Sequence, residues 1–166
     1  MIKNISNLGD TALYCDFGNE VNKSINSQVI KYFKTIKEKK VKGINNLTPS
    51  YNKLIISYDL KQTNFNEVKK NIENLNVETN LKLNTKRIEI PVCCHESLSL
   101  DVKRLEKILN LSRDKILENF LNKEYFCYMT GFIAGMPFLG DLNENMRAQR
   151  LETPRVKVPK GSVGLT

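Results

Sequence analysis

The stretch YFCYMTGFIAGMPFLG, residues 125–140, decides the fold, because an apolar, aromatic-rich segment runs directly into a turn punctuated by glycine and proline. Residues 125–129 have the composition of a strand. Glycine in the following turn permits a positive φ or a close backbone approach. The turn predicts a pocket lining or a contact between subunits, or else a structural loop that fills the core. The candidate residues are Gly131, Phe132, Gly135, Pro137 and Phe138.

A second motif, RLETPRVKVPKGSVG at residues 150–164, combines prolines and glycines with regularly spaced cations. On a strand, Arg155 and Lys157 share one face, and arginine offers a planar fork for carboxylate or phosphate. Backbone N–H groups near a glycine also form anion-binding nests. The motif predicts either an anion site or a solvated edge strand whose charges block aggregation. The candidate binding residues are Arg155, Lys157, Lys160, Gly161 and Ser162.

The first half of the chain has the periodicity of a small α+β unit. Apolar residues recur at helical spacing over residues 21–40, where Gly43 follows as a stop, and again over residues 65–75. One strand-like run precedes the first helix, and two more lie between the two helices. We predict strands at residues 11–17, 44–47 and 54–58.

The second half begins after the polar stretch 76–86, which is the best linker candidate. We predict a strand at residues 87–92, helices at 100–109 and 113–121, and a short edge strand at 154–159. Ser112 is expected to cap the second of these helices. The predicted domains are therefore residues 1–85 and 86–166.

Composition and charge narrow the classes of function. The chain has 166 residues, of which 40% are hydrophobic and 27% charged, which suffices for a compact core. Its net charge of +8 comes from scattered basic residues, without a helix-turn-helix recognition face, an RNP motif or a zinc finger. We expect no nucleic acid partner. No stretch approaches the ~18 apolar residues of a membrane span, so we expect a cytoplasmic protein with no membrane partner.

The cysteines and the single histidine predict no metal site and name no catalytic residue. The adjacent pair Cys93 and Cys94 lacks metal-ligand spacing. Cys15, Cys93 and Cys127 lie in apolar runs and are expected to be buried, reduced thiols. His95 beside Cys94 is either a base and thiol pair or a polar loop.

Together the two motifs resemble the KipI-like proteins, a family that includes the B subunit of bacterial 5-oxoprolinase and an equivalent portion of urea carboxylase. The family pattern is an aromatic strand running into Gly-Phe-x-Pro-Gly-Phe-Pro-Tyr-Leu, with Pro-Arg-x-x-Val-Pro-x-Gly-Ser-Val-Gly downstream. Two dense motifs at the right separation are more specific than one glycine-rich loop. Weaker matches at residues 8–10, 48–58, 90–92 and Asp101 extend the resemblance over nearly the whole chain.

The resemblance implies a small N-terminal α/β-sandwich-like domain followed by a partial cyclophilin-like β-barrel. It implies the B subunit of an ATP-dependent 5-oxoprolinase, which opens 5-oxoproline to glutamate. The implied partners are a C subunit similar to KipA or PxpC and an A subunit similar to LamB/YcsF, and ATP acts through their complex. The alternatives are a KipI-like inhibitor of a sensor histidine kinase and a truncated, inactive remnant.

Several positions depart from the family pattern. Residues 93–97 read Cys-Cys-His-Glu-Ser where the family is glycine-rich, and Phe120 occupies the place of a frequent histidine. Ala134 replaces a proline, and Met136 replaces a phenylalanine. The family also continues past Gly-Ser-Val-Gly into further strands. We therefore expect a C-terminal truncation, or an edge that a partner covers.

Overall fold

A computed structural model describes residues 1–78, 83 and 85–165. Its mixture of helices and strands confirms the predicted α+β class. The strands are β1 (Asn4–Asn7), β2 (Ala12–Asp16), β3 (Ile44–Pro49), β4 (Lys53–Tyr58), β5 (Phe126–Thr130) and β6 (Pro137–Gly140). The α-helices are α1 (Lys23–Lys39), α2 (Phe65–Glu73), α3 (Val102–Leu109) and α4 (Arg113–Leu121). Short 3₁₀ turns lie at Glu96–Leu98 and Glu144–Met146.

The chain divides into two compact units. Unit 1 combines Met1–Lys86 with Phe126–Leu139, and unit 2 combines Arg87–Tyr125 with Gly140–Thr166. The segment that follows α4 therefore returns to unit 1, which local sequence patterns do not reveal. Whether residues 1–85 and 86–166 fold as separate domains stays a prediction. Of the expected linker 76–86, residues 79–82 and 84 lie outside the described residues.

Unit 1 is built on a four-stranded antiparallel sheet with the order β1-β2-β4-β3. The central strand β4 alternates half-buried and buried residues, as a strand with one face on the core does. Helices α1 and α2 contribute apolar side chains to this core. Its buried members are Leu13, Cys15, Phe17, Val29, Ile36, Leu54, Ile56, Tyr58, Val68 and Ile72.

Local chemistry sets the ends of α1. The Asn22 side chain accepts a hydrogen bond from the Ile25 backbone N–H at 2.9 Å, so the helix begins two residues later than the apolar stripe suggests. Lys40 closes the helix in the left-handed conformation. Gly43 then takes a φ of +81°, and a Cβ there would lie 2.5 Å from Thr63 Cγ2. The predicted stop at Gly43 is thus a turn that only glycine fits.

A buried asparagine fastens α1 to the rest of unit 1. Asn26 is 2% exposed, and its Nδ2 lies 3.2, 3.0 and 3.0 Å from the backbone oxygens of Ser50, Tyr51 and Tyr128. One side chain therefore satisfies acceptors in the β3–β4 turn and in β5. Buried carbonyls need such partners, so Asn26 fixes where β5 lies in this unit.

Unit 2 has a smaller core between α3, α4 and the second 3₁₀ turn, formed by Leu105, Ile116 and Met146. Ser112 caps α4, as predicted, by accepting from the Lys115 N–H at 3.3 Å. The strands expected at 87–92 and 154–159 are wrong, since these described residues form no strand. Alternating apolar residues supply only one condition for a strand. A hydrogen-bonded neighbour is the other, and none lies beside them in the described part of the chain.

Candidate functional site

The expected anion-binding residues lie in unit 2, where Arg155 is already paired with a carboxylate. Its Nη1 and Nη2 donate to Asp101 Oδ2 and Oδ1 at 2.6 and 2.7 Å. This bidentate geometry is the one that matches a guanidinium to a carboxylate. The two side chains are 35% and 37% exposed, so the pair lies at the surface. Arg155 therefore binds an anion belonging to its own chain.

The pair changes the acidity of both groups. The hydrogen bonds from Arg155 hold the pKa of the Asp101 carboxyl below its usual range. The same hydrogen bonds raise the pKa of the Arg155 guanidinium. Both shifts favour the charged forms, so the ion pair is intact at neutral pH.

A second arginine holds the chain just before Arg155. Arg104 Nη2 donates to the backbone oxygens of Gln149 and Arg150 at 2.6 and 3.3 Å. Arg104 lies on α3, and Asp101 is the residue that precedes this helix. The N-terminal end of α3 thus holds residues 149–162, called the tail below, at two points. Arg104 makes the main-chain contacts and Asp101 the side-chain contact, and together they form what we call the clasp.

Beyond this clasp, residues 159–162 form a tight turn. The Ser162 N–H and hydroxyl both donate to the Pro159 carbonyl, at 3.2 and 2.8 Å. Gly161 has a φ of +82°, which a turn of this kind requires at its third position. Of the three backbone N–H groups expected to form a nest, that of Ser162 is occupied within the turn. The backbone N–H groups of Lys160 and Gly161 remain as donors.

Lys157 and Lys160 are the unpaired cations of the described residues 155–162. Both are exposed, and within the described residues neither ammonium group has an acidic partner. Together with the turn they present two positive charges and two main-chain donors on one short stretch. Such a surface is suited to phosphate or carboxylate. The five expected residues thus separate into a paired Arg155 and an open set around the turn.

The second expected set lies in unit 1, on the hairpin that joins β5 and β6. The Gly131 N–H donates to Met136 O at 3.0 Å and closes the hairpin. Phe132 has a φ of +65° and is 91% exposed. Gly135 also has a positive φ. These residues shape an exposed tip rather than a buried loop.

The base of this hairpin packs on an aromatic cluster. The Phe138 ring meets Tyr51 edge to face, with centroids 6.3 Å apart. Tyr51 also lies 5.8 Å from Tyr128, which in turn lies 4.8 Å from Phe126. Phe138 therefore has a packing role, whereas Phe132 at the tip is left to solvent.

Other chemistry is sparse. The His95 Nδ1 accepts from the Ser97 N–H and lies 2.8 Å from the Ser97 hydroxyl, so this imidazole caps a 3₁₀ turn. The expectation of buried thiols holds for Cys15, whose burial raises its pKa to about 12, and is wrong for Cys93 and Cys127, which are exposed.

Among the described residues, no three His, Cys, Asp or Glu side chains gather as metal ligands. None of the helices described is both long and apolar enough to span a bilayer.

Sequence reasoning missed Asp101 and Arg104 as partners of the tail. Asp101 matched the family register, but nothing local pairs it with an arginine 54 residues away. Asn26 was also missed, because a buried asparagine on an amphipathic helix has no signature in the pattern. These residues act through contacts that only the tertiary fold creates.

Comparison with known sequences identifies relatives along the whole chain. The family described as the carboxyltransferase domain, subdomain C and D, matches residues 3–166. The B subunit of 5-oxoprolinase from Bacillus subtilis (strain 168) is 31% identical over 173 residues, covering 97% of this chain and 72% of that protein. The protein of the same name from Haemophilus influenzae is 39% identical over 80 residues, covering 48% of this chain and 38% of its own length. These matches confirm the resemblance predicted from the two motifs.

Comparison with solved structures agrees on the fold. The crystal structure of TTHA0988 superposes with a TM-score of 0.76 at 23% identity, over 89% of this chain and 29% of that one. The urea amidolyase of K. lactis gives a TM-score of 0.59 at 13% identity, over 76% of this chain and 9% of that one. At such identities the likeness establishes architecture alone. The chain spans less than a third of either of these larger proteins.

Proposed function

Because the chain belongs to the family of the carboxyltransferase domain, subdomain C and D, we propose that it is the B subunit of an ATP-dependent 5-oxoprolinase. In this proposal it opens 5-oxoproline to glutamate together with a KipA- or PxpC-like C subunit and a LamB/YcsF-like A subunit. The observation that carries the proposal is the 31% identity to the Bacillus subtilis B subunit across 97% of the chain. We place the complex in the cytoplasm, where ATP is available.

The chemistry of the reaction explains why such a subunit needs an anion site. A lactam is a poor electrophile, and phosphorylating its oxygen makes the ring carbon open to attack. Lys157, Lys160 and the main-chain donors of the turn would hold the phosphate groups of ATP. Charges fixed beforehand stabilise negative charge that develops during a reaction. Arg155 and Asp101 would then hold the turn in place.

Exposed apolar residues support the need for partners. Phe132 projects from the hairpin tip, and aromatic side chains are frequent energetic centres of protein interfaces. Ile88, Ile90, Val156 and Val158 are also largely exposed. We propose that these two segments, which form no strand in the described chain, join a partial cyclophilin-like barrel only in the assembled complex. Strands supplied by another polypeptide would cover them.

Reconstitution tests the proposed function. The chain is mixed with candidate A and C subunits, and ATP hydrolysis is measured with and without 5-oxoproline. We expect oxoproline-dependent hydrolysis only when all three proteins are present. The proposal fails if the A and C subunits reach the same rate without this chain.

A further inference from the structure

Cys93 and Cys94 form a pair of adjacent thiols that the proposed oxoprolinase role does not use. Both are free, with Cys93 exposed and Cys94 half-buried. Within the described residues 85–95 the chain forms no helix or strand. Ladder hydrogen bonds therefore do not restrain the backbone at the pair, and solvent-borne reagents reach it.

We propose that Cys93 and Cys94 are a reversible thiol-modification site, which closes to a vicinal disulfide by exchange with small disulfides of the glutathione class. One thiolate attacks the reagent's S–S bond, which breaks, and a mixed disulfide and one reduced reagent thiol are formed. The neighbouring thiolate then displaces the second reagent thiol. The cysteines lose two electrons and two protons, and the reagent disulfide gains both.

The spacing of adjacent residues makes this bond reversible. Consecutive Cα atoms lie about 3.8 Å apart across a trans peptide. Disulfide-linked Cα atoms usually lie about 4.4–6.8 Å apart. A bond between neighbours is therefore strained, and strained, exposed disulfides are the labile ones. The pair suits a switch and not a structural crosslink.

The surroundings of the pair couple it to α4. The Cys94 carbonyl accepts from the Arg113 guanidinium and, at 3.3 Å, from the Ser99 hydroxyl. Closing the ring changes the backbone dihedrals on both sides of the Cys93–Cys94 peptide, and the Cys94 carbonyl turns with them. The bond from Arg113 then weakens.

Mass spectrometry of the full chain tests the site. The protein is incubated with oxidised glutathione, quenched in acid, alkylated and digested with trypsin. The peptide of residues 88–103 should lose two hydrogen masses and recover both alkylation sites after dithiothreitol. The single variants Cys93→Ser and Cys94→Ser should instead retain a mixed glutathione adduct. The proposal is overturned if both thiols remain alkylatable, or if either pairs with Cys127 instead.

Removing the hydrogen bonds to the Cys94 carbonyl tests the coupling between the thiol pair and α4. In Arg113→Ala and Ser99→Ala, ring closure should be faster, by roughly tenfold in the arginine variant, because a hydrogen bond to a charged group no longer opposes it. Lys115→Ala, on the same helix but without contact to Cys94, is the matched control. Equal closure rates in all four proteins would contradict the coupling.

Discussion

At the scale of single residues, the pair of Arg155 and Asp101 divides the candidate site into a holding part and a binding part. Arg155 uses both ends of its guanidinium on an internal carboxylate, while Lys157 and Lys160 remain open to solvent. An arginine satisfied in this way positions its neighbours more readily than it binds a ligand. Affinity for phosphate should therefore depend on the lysines, and the place of the turn on the ion pair.

The pH dependence of stability tests the ion pair. The pKa of Asp101 is depressed in the folded chain, so its contribution is complete above the unfolded value of about 3.9 and is lost as pH falls through the folded value. We expect Asp101→Asn to lower the urea midpoint at pH 7. The difference in urea midpoint between this variant and the unaltered protein should disappear in acid. A difference that is unchanged, or wider, in acid would contradict the pairing.

The buried amide of Asn26 should affect the free energy of unfolding more than the surface ion pair does. Asn26→Ala leaves the carbonyls of Ser50, Tyr51 and Tyr128 without their shared donor. We expect a loss of about 2 kcal/mol in the free energy of unfolding, the order of cost for unsatisfied buried groups. Chemical denaturation provides the measurement. Asn45→Ala, at an exposed asparagine, should stay within about 0.5 kcal/mol, and equal losses in both variants would refute the role of Asn26.

At the scale of elements, the sequence predicted those helix and strand bounds that neighbouring residues determine on their own. Helix α4 has its expected bounds, because Ser112 and the apolar spacing act within a few residues. Strands β1 and β6 were missed, because short segments become strands only beside β2 and β5. Residues 87–92 show the opposite case. Their apolar and polar residues alternate as in a strand, but no strand of the described chain lies beside them to pair with. Of the candidate site, the turn and its lysines were predictable, and the clasp from α3 was not.

The turn between α1 and β3 carries a prediction of its own. Gly43→Ala places a Cβ against Thr63 at a positive φ, whereas Gly9, also at positive φ, has no atom within 4 Å of such a Cβ. Gly43→Ala and Gly9→Ala should each lose about 1 kcal/mol of stability, because a Cβ at positive φ crowds the following carbonyl oxygen. Gly43→Ala should lose roughly 1–3 kcal/mol more through overpacking. Thermal and urea unfolding compare them. Equal losses would show that Thr63 moves aside without cost.

At the scale of the whole molecule, the described residues present candidate binding features in each of the two units. Unit 2 offers the cationic turn, and unit 1 offers an exposed aromatic hairpin tip. The histidine caps a turn, and no metal cluster occurs in the residues described. Under the proposed function, the cationic turn contributes phosphate-binding groups to an active site that the partner subunits complete.

The most direct test measures glutamate formed from 5-oxoproline and ATP by the reconstituted complex. The Lys157→Ala, Lys160→Ala double variant is compared with the unaltered chain and with Lys39→Ala, Lys61→Ala, which removes two lysines outside the tail. Because each charge-assisted contact contributes on the order of 1.5 kcal/mol, the tail variant should slow glutamate formation by at least about tenfold, and the control should not. Full activity in the tail variant would contradict a phosphate-binding role for this chain.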